Sequence, residues 1–301
     1  MKVSLIIAVY KDIESLKLVL DSCKLQTYTD FEVIVAEDGQ SEEMKTFIAL
    51  AKQKYTFDII YTTQEDNGVQ KSKSQNNGIR ASKGEYLIFI DGDCLLYSNF
   101  IENHLALSGE KNIVTGRRVN LGQTFSKKLR NREISAKWLE KHFVRKYFEI
   151  KKDAKTERHS EEGFQIKPHR LLHKIMVKIR KKRFPMLGCN MSMYKQRMIE
   201  INGFDEGLGN ASAASDTDLE WRFEGIGCKI VPARFMANEF HLYHKRSPKE
   251  YDRDAVDQML ENQKKGIFVC LEGLIKTKEK VKKKFNETTQ LTKLVTIIDK
   301  M

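Results

Sequence analysis

Residues 86–93, YLIFIDGD, carry five aliphatic or aromatic side chains directly into two aspartates separated by one glycine. An unbroken apolar run that stops at a turn is the pattern of a strand buried on both faces of a sheet. The same texture occurs upstream as VSLIIAVY (3–10), FEVIVA (31–36) and, shorter, DIIY (58–61). Between these runs the periodicity becomes helical. Ile13, Leu16, Leu20 and Cys23 share one face, and 42–54 and 71–81 read as two further helices. Strands alternating with helices of this length predict an α/β protein with a mostly parallel central sheet flanked by helices.

In such a sheet, ligands bind beyond the carboxyl ends of the strands. That rule selects Val9 and Tyr10 after the first strand, Glu37-Asp38-Gly39 after the second and Asp91-Gly92-Asp93 after the fourth. An aromatic ring and several carboxylates would then share one edge. Gly92 permits a tight turn that points both flanking carboxylates outward, and paired carboxylates suit a hard divalent cation. An Asp-x-Asp triplet alone occurs in many exposed turns; its position at the ligand edge gives it weight.

At 301 residues, 41% hydrophobic and 31% charged, the chain has enough apolar material for a large core, which argues against wholesale disorder. No apolar run approaches the roughly 18 residues of a membrane-spanning helix, and the N-terminus reads straight into a strand without a cleavable signal pattern. A cytoplasmic location is the expectation. Five scattered cysteines lack the C-x-x-C spacing of zinc or redox pairs, so packed, reduced thiols are expected.

The net charge of +12 is concentrated in one stretch. Residues 116–187 hold 22 Lys and Arg against 7 Asp and Glu, so the rest of the chain is slightly acidic. A local basic surface implies an anionic partner: lipid headgroups at the inner face of the cytoplasmic membrane, a phosphorylated acceptor, or nucleic acid. A solvated helical insertion is the plain alternative. After Gly116 the strand pattern is lost and the chain reads as helical, with Leu171, Leu172, Ile175, Met176 and Ile179 on one face. Regular structure resumes at 186–193, 216–224 reads as a helix, and the tail from 249 looks helical. The expected division is an α/β half (1–115), a basic helical insertion (116–183), a second half of the same domain (184–248) and a helical tail (249–301).

Three segments together resemble the family 2 glycosyltransferases: residues 4–39, NNGIRASKGEYLIFIDGDC (76–94), and LGCNMSMYKQRMIEINGFDEGLG (187–209) continuing to SDTDLEWRFEGIGCKI (215–230). The last segment is closest to the galactosyltransferase-like branch. The resemblance covers roughly 1–115 and 184–245 and implies a GT-A (nucleotide-diphospho-sugar transferase) fold, inverting chemistry and a UDP-sugar donor, hexose or N-acetylhexosamine. It implies that Tyr10 and Asp38 hold the base, that Asp91 and Asp93 hold Mn2+ or Mg2+ against the diphosphate, and that Asp216 is the general base. GVQKSKSQN (68–76) resembles a segment along the donor phosphates. There Gln70 replaces the family's Arg, Lys71 can supply the charge, and Asn76 closes the motif; a solvated helix face is the alternative.

FHLYH (240–244) lies where the family places a metal-binding histidine, with His241 the better match by spacing and His244 the second. Imidazole beside carboxylate suits manganese better than magnesium. Gly188 and Asn190 stand on the acceptor side, where Asn190 can bind a sugar hydroxyl or serve a turn. Ser215 replaces the family's usual Glu, which puts sugar specificity by analogy in doubt, and Asp218 completes the acceptor or sugar set. For Asp216 and Asp218 the alternative is capping of a helix N-terminus.

These readings point to transfer onto a glycan or lipid-linked acceptor in bacterial surface polysaccharide synthesis. Nucleic acid is not the expected partner, because the basic stretch carries no known reading motif or aromatic platform. A nucleotidyltransferase would need a Gly-rich loop after the first strand, and Tyr10-Lys11-Asp12-Ile13 has no glycine. A non-catalytic sugar-nucleotide-binding relative stays open because of Ser215.

Overall fold

The computed structural model describes residues 1–155, 159–166, 171, 184–208, 212–245 and 253–276. Its centre is a seven-stranded sheet in the order β3-β2-β1-β4-β8-β6-β9. The strands are β1 (Val3–Val9), β2 (Phe31–Glu37), β3 (Ile59–Thr62), β4 (Tyr86–Asp91), β6 (Asn112–Thr115), β8 (Asn190–Tyr194) and β9 (Lys229–Pro232). The first four run parallel, and β8 lies antiparallel between β4 and β6.

The apolar runs form strands because both faces of the sheet are covered. Leu5, Ile7, Val33, Val35, Ile88 and Ile90 pack into one core, and Ile6, Ile34, Leu87 and Phe89 into the other. Helices α1 (Ile13–Cys23) and α2 (Glu42–Lys54) cover the first face through Leu16, Leu20, Met44 and Ile48. Helices α3 (Lys71–Ala81) and, later in the chain, Ser212–Gly225 cover the second through Ile79, Leu219 and Phe223. Capping fixes the starts: Asp12 accepts from Ser15 N–H at 2.9 Å, and Ser41 accepts from Met44 N–H at 3.0 Å.

The strand pattern does not end at Gly116. Arg117–Asn120 forms β7, and with β5 (Cys94–Leu96) and β10 (Asn238–His241) it builds a second, three-stranded sheet in the order β5-β10-β7. Four residues that include two arginines carry no apolar run, so this strand exists through pairing with β10 rather than through its own sequence. The basic stretch then continues as α5 (Gln123–Arg130), α6 (Ala136–Ala154) and a short 3-10 turn at Ser160–Gly163. Leu129, Leu139 and Phe143 seat α5 and α6 on the first core. Apart from Leu171, the apolar stripe expected at 171–179 lies outside the described residues.

Helix α4 (Phe100–Ala106) follows β5, α7 (Lys195–Glu200) follows β8, α8 is Ser212–Gly225, and α9 is Arg253–Lys264. The expected tail helix ends there. Asn202 Nδ2 donates to the Cys270 and Ile275 carbonyls and its Oδ1 accepts from Ile275 N–H, pinning the next segment in non-helical form. Residues 277–301, including most of the lysine-rich run, are outside the described part.

Candidate active site

The turns after β1, β2 and β4 converge on a cleft of about 510 Å³ lined by Val9, Tyr10, Asp38, Lys71, Asp91, Gly92, Asp93, His241 and His244. All nine are expected site residues, and they come from five separate segments. A volume of this size matches small-molecule sites in general.

The Asp-Gly-Asp turn is held closely. Gly92 N–H donates to Ala8 O at 2.8 Å, and a Cβ at position 92 would come within 2.9 Å of the Val9 side chain. Glycine is therefore required by close approach to β1. Asp91 faces Lys71, whose Nζ lies 2.5 Å from Oδ1, and Arg118, 4.0 Å from Oδ2. Burial alone would lower the Lys71 pKa, but Asp91, with Asp216 beyond it, holds it above the usual lysine range.

Asp93 faces the other way. His241 Nε2 is 3.2 Å and His244 Nε2 3.5 Å from its Oδ2, and one ligand atom from each of the three residues falls within 4.8 Å of the others. Leu242 N–H donates to Asp93 O at 3.0 Å, locking the end of β10 onto the turn. Burial would push the Asp93 carboxyl up, but the hydrogen bond from His241 and the charges of His241, His244 and Arg118 hold it below the ordinary range. One carboxylate and two imidazoles form a donor set that fits Mn2+ better than Mg2+. Both histidines reach the group.

Tyr10 stands at the lip, 55% exposed, with its hydroxyl donating to Asp66 at 3.3 Å. Lys11 beside it has φ 52° and reaches the same carboxylate at 2.6 Å. Buried Asp38 accepts from Gln70 N–H at 2.7 Å and Gln64 Nε2 at 2.8 Å. It thereby fixes the 64–70 loop that leads into α3. Burial raises the Asp38 carboxyl above its ordinary value.

Asp216 is not at a helix start. Helix α8 begins at Ser212, which disposes of the capping alternative for both Asp216 and Asp218. Gly188 N–H donates to Asp216 Oδ2 at 2.9 Å, and a Cβ on Gly188 would stand 2.2 Å from Oδ1. Two expected residues thus support each other. Burial raises the Asp216 pKa; Lys71, the Gly188 N–H and Arg118 pull it down, and Asp91 adds to the rise. The carboxylate therefore belongs to the same electrostatic group as the cleft. Half-buried Ser215 precedes it on the helix.

Three other expected residues face elsewhere. Asp218 is buried in an ion pair with Arg222 Nε at 2.7 Å. Asn76 exchanges hydrogen bonds with the backbone of Phe204 at 2.9 Å in both directions and donates to Glu206, so it fastens the 203–206 turn instead of lying along phosphates. Asn190 is fully buried, donating to the Arg117 and Ala237 carbonyls and accepting from His104. Asn76 and Asn190 fill polar needs of the backbone inside the core and Asp218 balances a buried cation, roles the sequence could not distinguish from a ligand role.

Residues missed by the sequence reading complete the site. Arg118 and Arg130 line the cleft. Glu239 is fully buried behind it, with one ligand atom in a group with Cys94 and Cys189. Burial pushes its pKa well above the ordinary range. Its signal was available: Glu239 and His241 are two apart on a strand and so share a face.

The family model for "Glycosyl transferase family 2" matches residues 4–200. The chain belongs to glycosyl transferase family 2. A relative, an uncharacterized glycosyltransferase of Rickettsia bellii, is 34% identical over 113 residues, covering 38% of this chain and 16% of the relative. The chain thus spans only about a sixth of that protein. Among solved structures, S. aureus TarS 1-349 in complex with UDP superposes with a TM-score of 0.56 at 13% identity, covering 99% of this chain and 70% of that one. The mannosyltransferase PcManGT from Pyrobaculum calidifontis, in complex with GDP-Man and Mn2+, gives 0.51 at 14% identity, covering 81% and 58%. At such identities the likeness shows the fold, the GT-A arrangement of a mixed sheet flanked by helices.

Proposed function

We propose that the chain is a metal-dependent, inverting glycosyltransferase that moves a sugar from a nucleotide-diphospho-sugar, UDP-linked in our reading, to a glycan or lipid-linked acceptor of bacterial surface polysaccharide synthesis. One observation carries this: an exposed aromatic ring, the Asp38 carboxylate, a lysine–aspartate pair and an Asp-His-His group share one cleft, with the half-buried Asp216 carboxylate coupled electrostatically to Lys71 and Asp91. The solved neighbours with UDP or with GDP-Man and Mn2+ are consistent with the donor class and with a divalent ion.

In this reading Tyr10 stacks on the base and Asp38 accepts its N–H. Asp93, His241 and His244 would hold the cation, whose chemistry is to neutralise charge on the departing diphosphate. Lys71 and Arg118 add fixed positive charge beside Asp91. Asp216 takes the proton of the acceptor hydroxyl as that oxygen bonds to C1 and the C1–O bond to the diphosphate breaks, releasing the nucleoside diphosphate. A raised pKa suits a base, because a more basic carboxylate is a better proton acceptor. A single displacement inverts the anomeric centre.

The test is a panel of UDP-, GDP- and dTDP-sugars with Mn2+ or Mg2+, read by calorimetry and by metal-dependent donor hydrolysis. Binding and turnover of a UDP-sugar with manganese support the reading. No nucleotide heat from any donor with metal present would remove it.

A further inference from the structure

Helix α6 is seated on the core by Leu139, Phe143, Ile150 and Ala154, yet its outer face is not the polar surface that such a helix normally shows. Val144 is 73% exposed and Phe148 79%, four residues apart and therefore neighbours on one face. At about 100° per residue, exposed Lys141, Arg145, Lys151 and Lys152 all fall within about 60° of Phe148. No carboxylate of the helix lies in that sector. Its acidic residues are used elsewhere: Glu140 accepts from Ser98, Glu149 pairs with Lys146 to one side, and Asp153 accepts from the first N–H groups of α5.

We propose that this face of α6 docks on an anionic lipid bilayer, with Phe148 and Val144 inserted at the headgroup boundary and the four cations on lipid phosphates. The pattern of large apolar side chains ringed by Lys and Arg is that of interfacial helices, and the cations also bury their alkyl stems there. A nucleic-acid surface would need the charge but not two exposed aliphatic and aromatic side chains pointing outward between the cations. The inference stands on surface chemistry alone and is tested without any transfer reaction.

The experiment is co-sedimentation of the full chain with phosphatidylcholine vesicles and with vesicles containing 30% phosphatidylglycerol, at low and high salt. The wild type is expected to bind only the anionic vesicles, less at high salt. Val144→Ser with Phe148→Ser, and Lys141→Glu with Arg145→Glu, should each lower the partition coefficient by at least about tenfold. Thermal melting of both should match wild type, and the indole introduced by Phe148→Trp should give blue-shifted emission on anionic vesicles. Unchanged sedimentation of both double variants, or unmoved emission from the Phe148→Trp protein, overturns the proposal. So does a large melting loss in the Ser variant, which would mean that the protein's own chain covers this face. Loss of duplex RNA binding in the Glu variant, without vesicle binding by wild type, would reassign the face to nucleic acid and equally overturn it.

Discussion

Lys71 on α3 and Asp91 at the end of β4 form a 2.5 Å ion pair on the wall of the cleft, joining the helix that follows the 64–70 loop to the turn that carries Asp93. Lys71→Met should leave Asp91 without its main partner and remove a charge that would face the diphosphate. Donor affinity is expected to fall by at least about tenfold, since hydrogen bonds to charged groups contribute about 1.5–3 kcal/mol. Calorimetry with UDP and manganese measures this; an unchanged dissociation constant would remove Lys71 from the site.

Asp216→Asn should lower transfer by about 10² or more while UDP affinity changes little, because a general base acts in the transition state and not on the nucleotide. Gly188→Ala should reproduce much of that loss, since its Cβ would stand 2.2 Å from Asp216 Oδ1. An active Asp216→Asn protein sinks the base assignment.

Metal binding should report on Asp93, His241 and His244 separately. Each change to Ala is expected to weaken Mn2+ binding by at least about tenfold, read by titration with the paramagnetic ion. Chelation should abolish transfer and manganese restore it. A histidine whose loss leaves affinity intact is not a ligand.

Asp218 gives the opposite signature. Arg222 is fully buried and also donates to the Ile201 and Gly203 carbonyls, so Asp218→Ala leaves a buried cation unpaired. The expected cost is about 3–5 kcal/mol of stability, seen in denaturant melts. If the variant melts normally but loses acceptor binding, Asp218 belongs to the sugar site after all.

Burial pushes the Asp205 carboxyl up to about 6 from 3.8. Between those values the folded protein holds a proton that the unfolded chain has released, so stability falls as pH rises through this window. Asp205→Asn should remove that decline, worth roughly 3 kcal/mol near neutrality at about 1.4 kcal/mol per unit of pKa shift. Melting curves from pH 4 to 7 test it; parallel curves for both proteins contradict it. For activity, the raised Asp216 pKa predicts that transfer falls as pH drops, with its midpoint above the usual aspartate range.

The main strands and the helices at 42–54 and 71–81 were readable because burial on two faces demands apolar residues in sequence. The cleft was readable where side chains sit at the ends of those strands. What escaped was set by partners far away in the chain. Strands β5 and β7, of 3 and 4 residues, are stabilised by β10 and have no pattern of their own. Arg118 reaches the cleft only because β7 pairs there. Asn76, Asn190 and Asp218 look like ligands because an amide or carboxylate in the sequence can serve a substrate, the backbone or a buried cation alike, and only the fold shows which.

Strand β8 sits between β4 and β6, so the central sheet cannot close until residues 190–194 have left the ribosome. Until then β4, apolar through Ile90, presents a bare edge, and the nascent chain carries a sticky flank through the synthesis of about a hundred further residues. Fragments ending before Asn190 should therefore aggregate rather than persist as a smaller nucleotide-binding unit.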